Sequence, residues 1–229
     1  MRHKRIISKE KDVVILIDTT YWGRKFGLVI IKDAIRNKIL WYKFINRHEK
    51  IDDYQEGILW LKEHDFKIWG IVCDGLKGLF QSLKQYPVQM CQFHMIGIVK
   101  RYLTNAPDLQ AAQELLILTK KLSKINQTEF ENELILWHNK WLKTIREKHT
   151  DSNGKSHYIR PRLRSAYLSL KRHLPWLWTF TKYTDRVIPN TNAGIESLNS
   201  RLKTTLRVHS GITSERRKKL IENYIARHY

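Results

Sequence analysis

Val13-Val14-Ile15-Leu16-Ile17 is an unbroken apolar run, almost all β-branched, that ends directly on Asp18. Without polar alternation it reads as a strand buried on both faces. Such a strand lies inside a sheet and needs cover on each side, so the fold expected is α/β. Residues 26–31 and 39–45 are two more strand-like runs. One connection contains Gly23, the other is the polar stretch 32–38, and both are short enough for antiparallel hairpins.

From 51 to 64 the period changes. Tyr54, Ile58 and Leu61 are spaced by four and three, which makes a helical face. A fourth strand, 68–73, then runs into Asp74. After a helix-length connection it should lie parallel to the first strand by the usual right-handed crossover. If the two are neighbours, Asp18 and Asp74 sit side by side at their carboxyl ends, where ligands bind in open α/β sheets.

Between 107 and 182 strand signals largely disappear. Phe130, Leu134, Trp137 and Trp141 form a helical stripe that the capping box Thr128-x-x-Glu131 would open. Leu163, Tyr167, Leu170 and Leu174 form another, with a loop at 151–156 between them. The expected division is therefore 1–106 for the first part of the core, 107–185 for a helical insertion, and 186–229 for the rest of the core. That last part holds an acidic helix and a basic segment. There is no internal repeat.

Residues 190–203 place one acid, Glu196, in a helix that is otherwise polar, apolar or basic. Thr191 or Asn192 can cap it. Ile195, Leu198, Leu202 and Leu206 share one face, and Glu196, Asn199, Ser200 and Lys203 share the next. Burying the leucines against the sheet would aim Glu196 at the two aspartates.

The chain has 42 Lys plus Arg against 22 Asp plus Glu, a formal charge of +20 over 229 residues. Its basic residues are interleaved with aromatics, which points to nucleic acid as the partner. Arg162, Arg164, Lys171 and Arg172 are candidates for phosphate contact, as are Arg201, Lys203, Arg207 and the run Arg216-Arg217-Lys218-Lys219. Trp137 and Trp141 could stack on a base, but helical spacing makes core packing their default. Two cysteines, Cys73 and Cys91, provide no disulfide framework. No apolar run reaches the length of a membrane span, and Met1-Arg2-His3-Lys4-Arg5 is not followed by a signal-peptide core. The expected setting is the cytoplasm, with nucleoid association if the source is bacterial, and no membrane.

Taken singly, an Asp after a strand is a turn or cap residue and a helical Glu is a surface residue. Together, three isolated carboxylates in a basic chain suggest two-metal chemistry on a polyanion. Two hard cations about 3.5–4 Å apart stabilise both the entering and the leaving oxygen of a phosphodiester, and carboxylates are their natural ligands. Asp18 would bridge two Mg²⁺ or Mn²⁺ ions, with Asp74 and Glu196 completing the separate sites. Cys91-Gln92-Phe93-His94 offers two zinc ligands, but a structural zinc site needs four and no second pair exists. Zinc is not expected there, and Cys91 and His94 are read as structural or active-site support.

At this point the chain resembles the DDE transposases of the Mutator-like insertion-sequence family. The matching pieces are Ile17-Asp18-Thr19-Thr20, Cys73-Asp74-Gly75, Cys91-Gln92-Phe93-His94 and Thr191-Asn192-Ala193-Gly194-Ile195-Glu196-Ser197-Leu198-Asn199. The resemblance implies that Asp18, Asp74 and Glu196 are the catalytic triad, with Cys91, His94, Asn192 and Asn199 supporting it. It also implies an RNase H-like mixed sheet with an α-helical insertion between the second and third acids. The implied activity is Mg²⁺-dependent cleavage at transposon ends followed by strand transfer. The implied partners are DNA, as terminal inverted repeats and target, and further copies of the chain in a dimeric or larger DNA complex. Such transposases usually carry an N-terminal DNA-binding region. With the catalytic strand starting near Val13, the expectation here is a core without one. Two other readings are a catalytically inactive DNA-binding remnant and a structure-selective nuclease of the same fold.

Overall fold

The computed structural model describes residues 11–23, 26–208 and 211–228. The basic run at 1–5 lies outside them. The chain divides into two compact units, one made of residues 1–89 and 179–229 and the other of 90–178.

The first unit is built on a mixed sheet. Its strands are β1 (Asp12–Trp22), β2 (Phe26–Asp33) and β3 (Ile39–Ile45). Helix α1 (Ile51–Glu63), β4 (Lys67–Cys73), the short α2 (Leu79–Ser82) and β5 (Val88–Met90) follow. The order is β3-β2-β1-β4-β5. β1 pairs antiparallel with β2, β2 antiparallel with β3, and β1 parallel with β4. Two hairpins and a crossover through α1 give this arrangement, which is an RNase H-like mixed α/β sheet. The uniform apolar run is explained by position, because Val13 to Ile17 are at most 3% exposed in the central strand.

Alternation along β1 assigns its two faces. Toward one face, α1 comes so close that a Cβ on Gly57 would lie 2.5 Å from Ile31 Cδ1. Only glycine fits there. The other face takes α8, described below. Asp53 anchors the start of α1: its carboxylate accepts from both terminal nitrogens of Arg47 at 2.6 and 2.7 Å and from the Lys50 amide at 2.9 Å.

The second unit contains α3 (Gln92–Leu103), α4 (Gln110–Lys120), α5 (Gln127–Arg146), a hairpin of β6 (Lys148–Thr150) and β7 (Ser156–Tyr158), and α6 (Pro161–Leu177). It begins at Met90, ahead of 107, because α3 packs on α6 and α4. Both expected helical stripes are present, and Phe130, Leu134, Trp137, Leu163, Tyr167 and Leu170 are buried. Trp137 lies in the core and donates to Ala111 O at 2.9 Å, while Trp141 is half-buried and donates to Glu114. The capping box at Thr128 is not used. α5 starts two residues earlier, and Asn126 caps it by accepting from the Glu129 amide at 2.9 Å. The extended backbone of Asn126 puts its side chain in range of the third helical amide. The loop at 151–156 turns the β6–β7 hairpin, whose short polar strands give no hydrophobic alternation to read.

The chain returns to the first unit with α7 (Thr179–Lys182), α8 (Ala193–Val208) and α9 (Ser214–His228). α8 packs on β1, and α9 packs on α8. Within the basic run, Arg217 and Lys218 lie over the rings of Phe26 and Phe44. No helix among the described residues is long and apolar enough to cross a membrane.

The hydrogen bonds from Arg47, helped by the Lys50 amide, hold the Asp53 carboxyl down at about 2, against an ordinary 3.8. A depressed acid stabilises the fold above its unfolded value and loses that effect as pH falls through the folded one. Asp53→Asn is expected to cost about 1–2 kcal/mol at neutral pH. Urea unfolding should show the difference at pH 7 and none below about pH 2.

Candidate active site

Asp18 is in mid-strand. β1 does not stop at the end of its apolar run but continues to Trp22, with Asp18 opposite Ile30 of β2. The sequence placed Asp18 at a strand end because the aliphatic pattern stops there. The strand persists because β2 pairs with it along its whole length. What ends near Asp18 is β4. Leu16 is level with Val72, so the same register carried two residues further sets Asp18 level with Asp74, the first residue after β4. The two aspartates are thus neighbours across a parallel pair, where β1 loses one partner.

α8 supplies the third acid. Ile195, Leu198, Leu202 and Leu206 are its buried face. A Cβ on Gly194 would lie 3.1 Å from Leu16 Cδ1, so the helix starts almost in contact with β1. Asn192 precedes the helix, and its backbone oxygen accepts from the Ile195 and Glu196 amides. Its side-chain amide donates to Ile17 O at 3.1 Å, so it ties the helix start to the strand. One turn after Glu196, Asn199 Nδ2 donates to Asp18 Oδ2 at 3.0 Å. Glu196 is half-buried in the first turn between these two ties.

Asp18 is 8% exposed. Burial, followed by repulsion from Asp74 and lesser repulsion from Glu49 and Glu196, holds its carboxyl well above the carboxylate range, against the pull of a backbone hydrogen bond at Thr19. Asp74 also makes a turn contact, accepting from the Leu76 amide at 3.2 Å. Its ordinary structural role and its place beside Asp18 coexist.

Glu49 is an acid that sequence reasoning missed. Burial raises its carboxyl, as do Asp74 and Asp53, while hydrogen bonds from Tyr54 and Thr19 lower it. The buried Tyr54 hydroxyl donates to Glu49 at 2.6 Å and lies 2.8 Å from Thr19 Oγ1. The only signal in sequence was its position, just ahead of α1. Asp18 in mid-β1 is therefore repelled by three further carboxylates, at the end of β4 and the starts of α1 and α8. Such a set of hard oxygen donors fits a divalent cation, whose charge would relieve that repulsion.

Cys91 and His94 belong to the helical unit. Cys91 is buried and caps α3, its Sγ accepting from the His94 amide at 3.5 Å, and His94 is half-buried. Their three-residue spacing is that of an N-cap. Arg162, Arg164, Lys171 and Arg172 lie along α6. Arg162 donates to Arg101 O and Arg164 lies over the Tyr158 ring, while Lys171 and Arg172 are exposed. Arg201, Lys203 and Arg207 are exposed on the later turns of α8, where Lys203 and Arg207 share a face.

No protein-family model matches this chain, and no curated protein matches it. Among solved structures, the Drosophila P element transposase strand transfer complex is similar over 94% of this chain and 77% of its own, at 12% identity and a TM-score of 0.43. The HTLV-2 integrase catalytic core domain, in complex with magnesium in a dimeric form, is similar over 67% of this chain and 96% of its own. There the identity is 13% and the TM-score 0.27. At these scores the fold assignment rests on strand order and direction.

Between the ordinary value of 3.8 and its raised folded value, Asp18 keeps a proton that the unfolded chain has lost. Metal-free stability is therefore expected to fall as pH rises through that interval. Asp18→Asn should flatten this dependence and raise the metal-free melting temperature at pH 7. Thermal melts of both proteins from pH 4 to 8 check this.

Proposed function

We propose that this chain is the catalytic core of a DDE-type transposase of the Mutator-like kind, a polynucleotidyl transferase that cuts DNA at transposon ends and joins them to target DNA. The observation that supports this reading is that Asp18 and Asp74 stand level on the parallel β1–β4 pair while Asn199, one turn after Glu196, donates to Asp18. In this reading Asp18, Asp74 and Glu196 are the residues that would hold the divalent ions. Two divalent ions held there would neutralise charge at the entering and leaving oxygens and lower the pKa of the attacking water.

The residues around the acids prepare the site. Asn199 fixes the Asp18 carboxylate by donating to one oxygen. Tyr54, itself hydrogen-bonded to Thr19, does the same for Glu49, which stands beside the triad as a fourth acid. In cleavage, water adds to the phosphorus, the P–O3′ bond breaks, and a 3′-hydroxyl leaves. In joining, that hydroxyl attacks a phosphodiester of the target and displaces its 3′-oxygen. DNA would contact exposed cations beside the acids, among them Arg201, Lys203 and Arg207 of α8, and the exposed Lys171 and Arg172 of α6 are candidates for phosphate contact on the second unit. A dimer or larger assembly on DNA belongs to the same proposal.

Incubation with Mg²⁺ or Mn²⁺ and duplex DNA ending in terminal inverted repeats, once these are identified beside the gene, should yield nicks with 3′-hydroxyl ends. Asp74→Ala and Glu196→Gln should each lower the rate by on the order of 10³-fold or more, without loss of DNA binding. Undiminished cleavage by Asp74→Ala would remove that residue from the site. Salt-dependent binding with no metal-dependent product would favour an inactive DNA-binding remnant instead.

A further inference from the structure

Lys32 is a cation in the apolar core. β2 is buried along its whole length, and Lys32 within it is 1% exposed. It stands opposite Leu16 on the β1–β2 ladder. Its Nζ donates to the backbone oxygen of Gly194 at 2.9 Å. Gly194 is in the first turn of α8, the turn that carries Glu196.

The position is unfavourable for a lysine. Burial, with nearby Arg201, draws its pKa down from 10.5 to about 8. A helix start is also the positive end of the helix dipole, which opposes an ammonium group. An apolar side chain of similar length would fill the space without either cost, and replacing buried charge in this way is often neutral or stabilising. Stability therefore does not explain the residue. Geometry does. Asn192 ties the start of α8 to Ile17, and Asn199 ties its second turn to Asp18. Lys32 adds a third tie from the neighbouring strand, at Gly194. Two ties to β1 leave the helix free to roll about that strand. A third from β2 stops the roll.

We infer that Lys32 is a positioning residue, whose bond to Gly194 fixes the rotation of α8 on the sheet and thereby the placement of Glu196 against Asp18 and Asp74. The inference rests on the reading of those acids as a divalent-metal site. Ligand sets of that kind must hold their geometry to within about 0.5 Å.

The test compares the full chain with Lys32→Met, following melting temperature against Mn²⁺ concentration and DNA nicking at a fixed, sub-saturating Mn²⁺. The variant is expected to melt, metal-free, at or above the wild-type temperature. Its half-saturating Mn²⁺ concentration should rise about ten-fold, the range seen when partners that orient metal ligands are lost. kcat should fall by a similar factor while KM for DNA shifts less, since no side chain that contacts DNA is removed. Lys32→Gln, too short to reach Gly194, carries the same expectation if Lys32→Met does not fold. Superimposable Mn²⁺ curves for wild type and variant would overturn the inference, whatever happens to the metal-free melting temperature. A wild-type chain whose melting ignores Mn²⁺ would overturn the metal-site reading, and this inference with it.

Discussion

A carboxylate held in the middle of a buried central strand is the constraint on which the rest of this structure turns. Asp18 loses most of its hydration, and ionising a lone carboxyl in that position is costly enough that the group tends to keep its proton. Other acids around it increase the cost. Asn199 lowers it by one hydrogen bond. The remaining repulsion is what a divalent cation would cancel, so the strain in the metal-free protein and the proposed chemistry have one origin.

Everything that touches α8 follows from that. The helix needs an apolar face to lie on the sheet and a polar face to meet Asp18, and its leucines and Asn199 provide them at helical spacing. Glycine at 194 lets the backbone approach Leu16, and the bonds of Asn192 and Lys32 hold the approach in register. The side chains that would perform chemistry are thus set by backbone contacts one turn away. The second unit has its own core, where Phe130 packs on Trp178 and Trp137 on Tyr167, and it presents cations along α6.

The legible parts of the sequence were those governed by local pattern. β1 to β4 and α1 were readable because aliphatic runs and a four-three spacing are local signals. The parallel β1–β4 pair followed from connection length. The leucine face of the helix that carries Glu196 was readable for the same reason. Long-range pairing was not. Asp18 stayed in a strand past the end of its aliphatic run because β2 continued beside it. Glu49 gave no local sign, because its role depends on Tyr54 and Thr19 arriving from different elements. Lys32 looked like the first residue of a polar connection, and only the position of Gly194 reveals why an ammonium lies inside. The cap of α5 moved to Asn126 because two good capping residues stand two apart and backbone geometry chose between them.

The most direct test of the central claim is a crystal grown with Mn²⁺ and measured at the manganese absorption edge. The expected result is anomalous density for manganese bonded to carboxylate oxygens of Asp18, Asp74 and Glu196, with Asn199 still donating to Asp18. Manganese density elsewhere only, with those carboxylates in ordered crystal and in contact with water alone, would contradict it.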